Sequence, residues 1–368
     1  MKRIRVLAAF VSGVMGMRNG IGLAALFLVA VVMLTLGAAA PTAWPQDQDE
    51  TDERGRYCSA TTKAQFKACG YEKLDDFYVA RALCINISDS DAREECFSAA
   101  QQELRDGKIL CREQRAQRLE ICGELGVARY ERDFDPADFE SDYHNLTNPN
   151  PHFPLTIGYR WDYGGTLETN TITALDETKL IEGVTCIVLN DKRYEDGLLV
   201  EDTDDWYGQR KDGAVEFCGE AVSNFETFPG DNPVRPECVS TDGQWKTGRD
   251  GIPSGAYILG SPRVGDAHRS EFAPGVAEDT VRYLSTSYGY GSDPELDQHV
   301  PRALIELFCA NHDCWVSGEN TGLEPGAFTR KYYAPGVGFI LDVDADTGEV
   351  VQLVNCNFDN RCKNLPQP

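Results

Sequence analysis

The spacing of six cysteines between residues 58 and 122 limits what this segment can fold into. Cys58 and Cys69 are eleven residues apart, and so are Cys111 and Cys122. At about 3.6 residues per helical turn, eleven residues return to nearly the same face. Each pair therefore lies on one stripe of one helix. The segment 57–130 also contains few glycines and no proline, so we predict a helical region there.

Two interruptions divide this region into three or four short predicted helices. The first is the polar run 86–91, where Ser90 or Asp91 would cap the next helix, and the second is Gly107. If the first and last helices run antiparallel, the favoured bridges nest around the first interruption. They are Cys58–Cys122, Cys69–Cys111 and Cys84–Cys96, although six cysteines allow other connectivities. Such a braced bundle is either a module that docks a partner or a cap on the rest of the chain.

The N-terminal segment 1–43 has the pattern of an export signal. It holds four basic residues and no acid, and Ile21–Ala40 carries no charge. Small residues at 37–40 are typical of a signal-peptidase site, but the run is also long enough for a membrane anchor. The natural start is Met1 or Met17. Residues 44–56 are polar and acidic and predict a flexible linker.

If the chain is exported, its thirteen cysteines enter an oxidising compartment, where cysteines usually form disulfides. No zinc or haem spacing is present; the nearest is Cys309, His312 and Cys314. We expect local bridges in the C-terminal part and one thiol left over, buried in the apolar run 184–189. The expected pairs are Cys218–Cys238, Cys309–Cys314 and Cys356–Cys362, with Cys186 as the free thiol.

The charge excludes one class of partner. Without residues 1–43, 31 basic residues remain beside 59 acidic ones, which leaves a net charge of −28. A surface this acidic repels nucleic-acid phosphates and anionic lipid heads. We therefore expect no nucleic-acid partner, and membrane contact only through an uncleaved N-terminal segment. The expected partner is a protein or a small molecule, with no cofactor.

The stretch 148–163, NPNPHFPLTIGYRWDY, opens a β-region after an acidic connector at 131–151. Tyr159, Trp161 and Tyr163 alternate with other residues, as in a half-buried strand. Asp-Gly and Pro-Gly turns then recur between alternating runs, which is typical of antiparallel hairpins. About ten strands are predicted; the runs are 184–194, 198–207, 215–218, 277–290, 302–309, 328–334, 337–343 and 350–354, with a proline-containing loop at 221–242.

The predicted fold class is therefore α+β in two parts. A disulfide-stapled small helical region at 57–130 precedes an all-β antiparallel region at 152–368, folded as a curved sheet, half-barrel or barrel.

Four stretches carry a resemblance to an uncharacterised family of exported bacterial proteins. They are NPNPHFPLTIGYRWDY, DETKLIEGVTCIVL, EDTDDWY and LEPGAFTRKYYAPGVG, and the resemblance spans about residues 148–343. The family shares an Asn-Pro-x-Phe-Pro-Leu opening and a Lys-Tyr-Tyr-Ala-Pro-Gly-Val-Gly motif, and it implies no known activity. The chain departs from it at Val215–Cys218 and in its added C-terminal cysteines. The Phe-Pro-Leu entry more weakly resembles periplasmic half-barrel proteins that carry lipidic ligands.

Catalytic and metal signatures are weak. The sequence has no Gly-x-Ser-x-Gly elbow and no phosphate-binding glycine loop, and its histidines are scattered. A calcium loop at Asp342, Asp344 and Asp346 is a remote alternative, because its glycine is one place late. Five aromatic residues could line a ligand pocket or belong to the core. They are Trp161, Tyr163, Trp206, Tyr207 and Trp245.

These features predict an extracytoplasmic cell-envelope protein with a non-catalytic binding or structural role. The alternatives are a carrier of an apolar ligand inside the β-region and an extracytoplasmic hydrolase. A carrier requires an apolar cavity, and a hydrolase requires a histidine beside an acid or serine in a cleft.

Overall fold

A helical hairpin braced by three disulfides forms the N-terminal part of the computed structural model, which describes residues 57–126, 128–166 and 168–367. Helix α1 spans Tyr57–Ile85 and α2 spans Ser90–Leu125. The carboxylate of Asp89 caps α2 by accepting from the amides of Asp91 and Ala92. The predicted signal segment 1–43 and linker 44–56 lie outside the described residues.

The three bridges join the helices at the pairs that the eleven-residue spacing favoured, namely Cys58–Cys122, Cys69–Cys111 and Cys84–Cys96. The expectation of three or four short helices is wrong, because Gly107 lies inside α2. A β-carbon at Gly107 would lie 2.6 Å from Cδ of Lys73 on α1. The glycine thus gives space to a side chain of the facing helix and does not end its own.

The remaining chain forms one antiparallel sheet of fourteen strands within the described residues, together with the short helix α3 (Arg302–Phe308). The strands are β1 Arg160–Gly164, β2 Glu168–Ile181, β3 Val184–Glu195, β4 Leu198–Gln209, β5 Val215–Thr227, β6 Pro236–Ser240, β7 Trp245–Lys246, β8 Gly255–Ile258, β9 Ala267–Arg269, β10 Asp279–Tyr288, β11 Cys314–Thr321, β12 Phe328–Ala334, β13 Gly338–Asp344 and β14 Val350–Cys356.

The strand order follows the chain almost sequentially, and the sheet curves so that its ends come close together. It runs β6-β5-β4-β3-β2-β1-β14-β13-β12-β11-β10-β9, with β7 and β8 also paired to β5. The hydrogen-bonded path does not close, but its two ends approach each other. A β-carbon at Gly255 on β8 would lie 1.6 Å from the carbonyl oxygen of Ser270, which follows β9. The amide of Leu259 also donates to the hydroxyl of Tyr283 on β10 over 2.9 Å. The predicted fold class, α+β with a curved antiparallel sheet, is confirmed.

Two predicted elements of the β-region are wrong. The run 302–309 is α3 and not a strand, and Leu304, Ile305 and Phe308 are buried on one face of this helix. The segment 221–242 is not a single loop, because β5 continues to Thr227 and pairs with β6.

The predicted pairing of Cys218 with Cys238 is also wrong, as is a free Cys186. The structure joins Cys186 to Cys218 and leaves Cys238 as an exposed thiol. Cys238 pairs in register with Phe225, seven residues along β5 from Cys218, which is about 23 Å of extended chain. Gly208 lies on β4 between the bridged strands, and a β-carbon there would lie 3.3 Å from the Cys218 sulfur. The bridges Cys309–Cys314 and Cys356–Cys362 are present.

The connector predicted at 131–151 packs along the sheet. The hydroxyl of Tyr143 donates to the carbonyl of Tyr207 over 2.9 Å and accepts from the amide of Gln209 over 3.0 Å. Arg132 forms an ion pair with Glu216, which is fully buried on β5. These contacts fix the connector against β4 and β5.

A buried ion pair joins the helical hairpin to the sheet. Nε of Arg118 on α2 lies 2.6 Å from a carboxylate oxygen of Glu278, next to β10, and both side chains are almost fully buried. Gln65 on α1 donates to the same carboxylate over 2.7 Å. Gln114 donates to the carbonyl of Leu323 over 2.8 Å. The hairpin is therefore attached through polar groups that water does not reach.

We expect Arg118→Met to destabilise the protein by about 3–5 kcal/mol, because it leaves the Glu278 carboxylate buried without its cation. The control is Arg282→Met, which removes an exposed arginine 3.6 Å from Glu124 and should change stability by less than about 1 kcal/mol. Urea unfolding followed by far-ultraviolet circular dichroism measures both. Equal losses in the two variants would contradict a special role for the buried pair.

Candidate functional site

The inner face of the sheet is defined by the register of its strands. Trp161 and Tyr163 on β1 pair with Ile172 and Asn170 on β2, and Leu189 on β3 pairs with Asp205 on β4. Because side chains alternate between the faces of a strand, these partners all point into the concave side. The inner face therefore carries aromatic, aliphatic and acidic residues together.

A pocket that is partly open to solvent lies against this face. Its cavity volume is about 20 Å³, which is room for about one water molecule. Its walls are mostly aromatic rings, and they include three of the five aromatic residues that the sequence suggested. The rings are Phe153, Trp161, Tyr163, Tyr207, Tyr257 and Phe339, and the other lining residues are Pro154, Ile172, Leu189, Asp205, Val337 and Gly338.

The polar ends of two pocket rings are fixed by backbone acceptors. Nε1 of Trp161 donates to the carbonyl of Val337 over 2.8 Å, and the hydroxyl of Tyr163 donates to the carbonyl of Phe339 over 3.0 Å. These bonds satisfy the two groups inside the protein and hold the rings across β1 and β13. The pocket is thus pre-formed on its β1 side.

Ring contacts hold the opposite wall. Tyr207 stacks on Phe217 with ring centroids 4.8 Å apart. Phe153, from the segment before β1, meets Tyr207 edge-on at 5.1 Å and Tyr257 at 4.5 Å. Gly338 has φ +90°, and a β-carbon there would lie 3.1 Å from Cδ of Pro154. The glycine therefore allows β13 to approach the segment that carries Phe153.

Asp205 is the one ionisable carboxyl in the pocket lining. Its residue is 4% exposed, and within the described residues its side chain makes no hydrogen bond or ion pair. Burial raises the pKa of Asp205 well above its ordinary value, and the neighbouring carboxylates of Glu201 and Asp204 raise it further. In the empty pocket the group is therefore held towards its neutral form.

Further carboxyl groups lie behind Asp205 on the inner face. Glu220 on β5 stands directly opposite Asp205 in register. Burial raises the pKa of Glu220 and that of Asp191 well above their ordinary values, and the surrounding acids add to both shifts. Adjacent buried carboxylates cannot all be charged at little cost, so several of these groups share protons near neutral pH.

A buried cation fills another part of the interior. Nζ of Lys331 on β12 lies 2.7 Å from Glu319 on β11, and both residues are almost fully buried. The Glu319 carboxylate, acting against burial, raises the pKa of Lys331 above its ordinary value. Burial raises the pKa of the neighbouring Asp342 to about 7, although Lys331 opposes the shift. Lys331 also lies within electrostatic range of Tyr257, which lines the aromatic pocket.

The other predicted pocket residues lie elsewhere. Trp206 is on the outer face, with Nζ of Lys179 3.5 Å from its ring centroid. Trp245 is buried against Phe217, and its Nε1 lies 3.4 Å from the carboxyl of Glu271. Asp205, Tyr257 and Phe339 also line the pocket and were not predicted from the sequence. Glu201, Thr203, Asp205 and Tyr207 occupy every second position of one strand, and this alternation could have indicated that Asp205 shares the inner face with Tyr207.

The remote calcium site is not supported. Asp342 belongs to the buried Lys331 network, while the Asp344 carboxylate accepts from the amides of Asp346 and Thr347 and so stabilises the turn. Across the described ranges, no group of three or more His, Cys, Asp or Glu side chains is placed to hold a metal ion.

The five histidines do not converge. Those at the surface or in turns are His144, His299 and His312, whereas His152 stacks on Trp315 at 3.7 Å and His268 is buried beside Tyr283. Nε2 of His144 lies 3.3 Å from Asp176, and both side chains are exposed. None of the five lines the pocket.

Comparison with known proteins gives little. No family model matches the chain, and no curated protein matches it. One solved structure, described as a putative lipoprotein from Parabacteroides distasonis, aligns over 57% of this chain and all of its own, with 12% identity and a TM-score of 0.27. An overlap of this quality implies neither a shared fold nor a shared activity. Among the described residues, no helix is both long enough and apolar enough to cross a membrane.

We expect Glu220→Gln to change how stability depends on pH. A carboxyl whose folded pKa is raised stabilises the protein fully below its unfolded pKa, and this contribution is lost as pH rises through the folded value. Because the ordinary pKa is 4.5 and the folded one lies well above it, the parent should lose stability between pH 5 and 8. The variant should be more stable than the parent at pH 8 by at least about 1 kcal/mol, with a smaller difference at pH 5.

Urea unfolding at each pH measures this difference. The control is Glu226→Gln, further along the same strand and only partly buried, which should follow the parent at every pH. A Glu220 variant that also follows the parent would contradict the shared-proton arrangement.

Proposed function

We propose that the protein is an extracytoplasmic, non-catalytic binding protein whose aromatic pocket holds a small group of a ligand. The observation that carries this proposal is the pocket itself, which is partly open to solvent and lined mainly by aromatic rings. Its cavity of about 20 Å³ lies far below the range of about 300–1,000 Å³ that is common for ligand sites, so a ligand group larger than water requires the rings to move apart. Such sites combine apolar walls with a few polar groups, as here with Asp205.

The small cavity and the buried acids behind it argue against the carrier alternative. A long apolar ligand that entered past the rings would meet Asp205, then Glu220 and Asp191, all buried. An alkyl chain offers these groups neither a hydrogen-bond partner nor an opposite charge, so its contact with them would be unfavourable. The pocket suits a compact group more than a lipid tail.

The positions of the histidines favour binding over hydrolysis. The pair His144–Asp176 lies on the exposed surface and outside the pocket lining. A hydrolase would place such a pair in the cleft that holds its substrate.

Two of the stretches that carry the family resemblance meet at this site. Phe153 and Pro154 come from the Asn-Pro-x-Phe-Pro-Leu opening, and Val337 and Gly338 come from the Lys-Tyr-Tyr-Ala-Pro-Gly-Val-Gly motif. Membership of that exported bacterial family stays a prediction, and so does cleavage of the segment 1–43. Six disulfides within the described residues support an oxidising compartment outside the cytoplasm.

The test is a screen of small fragments by saturation-transfer NMR against the parent and a variant with a filled pocket. We expect Leu189→Phe to abolish the signals of fragments that bind the parent, because the added ring occupies the space between the walls. Leu180→Phe makes the same change at an exposed position and should leave them intact. Ile172→Phe is a second filling variant in case the first fails to fold. No bound fragments, or binding that both filling variants retain, would refute a pocket function.

A further inference from the structure

Helix α1 carries apolar side chains on two opposite faces. One face meets α2 through Cys69 and Cys84, which are buried and form disulfides with α2. Tyr71, Tyr78 and Ile85 follow one another at seven-residue intervals, so they share one face of the helix. Tyr71 is two residues from Cys69, which is about 200° around the helix axis, so this second face points away from α2. A helix that is apolar all round is ordinarily covered all round.

The second face of α1 is an exposed apolar row. Its members are 48–68% exposed, and we call them the outer stripe; they are Tyr71, Tyr78, Val79, Leu83 and Ile85. Single apolar side chains are normal at a protein surface, but a contiguous group of them is typical of an interaction site. We propose that the outer stripe is a self-association surface, on which α1 of a second copy of this chain packs antiparallel to form a dimer.

The area of the outer stripe suits a dimer. A fully buried aromatic side chain covers about 150–250 Å², so the exposed parts of Tyr71 and Tyr78 supply roughly 200–300 Å² by the same measure. Val79, Leu83 and Ile85 add aliphatic surface. The sum is on the scale of the about 800 Å² that each partner buries in a stable complex, at the lower end of that class. The association is therefore expected to be reversible.

The charges along α1 identify a second copy as the occupant. If two copies of α1 cross antiparallel at Tyr78, each residue lies level with the one that is equally far on the other side of Tyr78. Asp75, three residues before Tyr78, is then level with Arg81 of the second copy, three residues after it. Lys67 and Asp89, eleven residues before and after Tyr78, become level in the same way. Opposite charges thus come into register at both positions.

The apolar residues match in the same crossing. Tyr71, seven residues before Tyr78, is level with Ile85 of the second copy, and Tyr78 is level with its own counterpart. Such a surface is complementary to itself, as a two-fold interface requires. In a parallel pair every charge would instead be level with the same charge, Asp75 with Asp75, and such like-charge contacts are unfavourable.

The charge of the sheet region favours the same orientation. Residues 57–125 hold ten basic and twelve acidic residues, whereas residues 126–368 hold 19 basic and 42 acidic ones. Two such acidic regions repel each other when they are close. Gln65 of α1 is bonded to Glu278 of the sheet region, and Tyr78 lies about 20 Å further along the helix. An antiparallel pair therefore places the two acidic regions at opposite ends of the dimer.

Sedimentation analysis of the purified protein tests this dimer. All variants carry Cys238→Ser, so that the exposed thiol does not link two copies by itself. We expect reversible dimerisation at a concentration between about 1 and 100 µM. Tyr78→Glu should weaken it at least about a hundredfold, because the change removes an aromatic contact and places two carboxylates together at the two-fold axis. Ile85→Glu is a second disrupting variant.

The matched control is Leu119→Glu, which adds the same charge at an exposed leucine of α2. This variant should dimerise like the parent. Far-ultraviolet circular dichroism checks that the helices are retained in every variant. A protein that stays monomeric at about 100 µM, or a dimer that Tyr78→Glu and Ile85→Glu leave as stable as the control does, would overturn the proposal.

Cysteine cross-linking in the same Cys238→Ser background tests the orientation. Under mild oxidation, Tyr78→Cys should form a disulfide with its own counterpart. Tyr71→Cys should form none alone, but a mixture of Tyr71→Cys and Ile85→Cys should give a mixed dimer. Linkage of Tyr71→Cys to itself without a mixed dimer would overturn the antiparallel arrangement.

Discussion

The curved sheet depends on one constraint, which is that its strands place every second side chain in an interior where charge is poorly solvated. The inner positions hold Asp205, Glu220 and Asp191 on one side and Glu319 and Asp342 on the other. Moving an isolated carboxylate into such a site costs far more than a typical folding free energy, so the group is paired or protonated. Near β12, Lys331 provides the opposite charge for Glu319. Near β4, within the described residues, no lysine or arginine contacts Asp205, and protonation takes its place.

This difference organises the interior into two parts. Around Lys331 the ion pair with Glu319 fills the space with a fixed polar network. Around Asp205 the neighbouring positions carry rings and aliphatic side chains, and the polar ends of two of these rings are held by backbone carbonyls. The pocket lies where a partnerless carboxyl meets rings that are fixed in place.

Much of the fold was readable from local patterns. Two cysteine pairs eleven residues apart predicted helices and their bridges, and Asp-Gly and Pro-Gly turns predicted most hairpins of the sheet. The failures come from tertiary contacts. Gly107 was expected to end a helix, but it lies inside α2, where its missing side chain leaves room for Lys73 of the facing helix. The bridge between Cys186 and Cys218 spans a whole strand, and a rule based on nearness in sequence favours Cys238.

The candidate site shows where periodicity helps and where it stops. Trp206 and Tyr207 are neighbours on a strand, so only one of them can face the interior. The sequence alone does not decide which one does. In the structure, the strand register places Tyr207 on the inner face. The same register determines which acidic side chains of the run 201–207 face the interior. With acids at 201, 202, 204 and 205, both faces of the strand are acidic in sequence. The pairing of Asp205 with Leu189 places the Asp205 carboxyl on the inner face. There it is a buried group that lines the pocket and not a solvated charge.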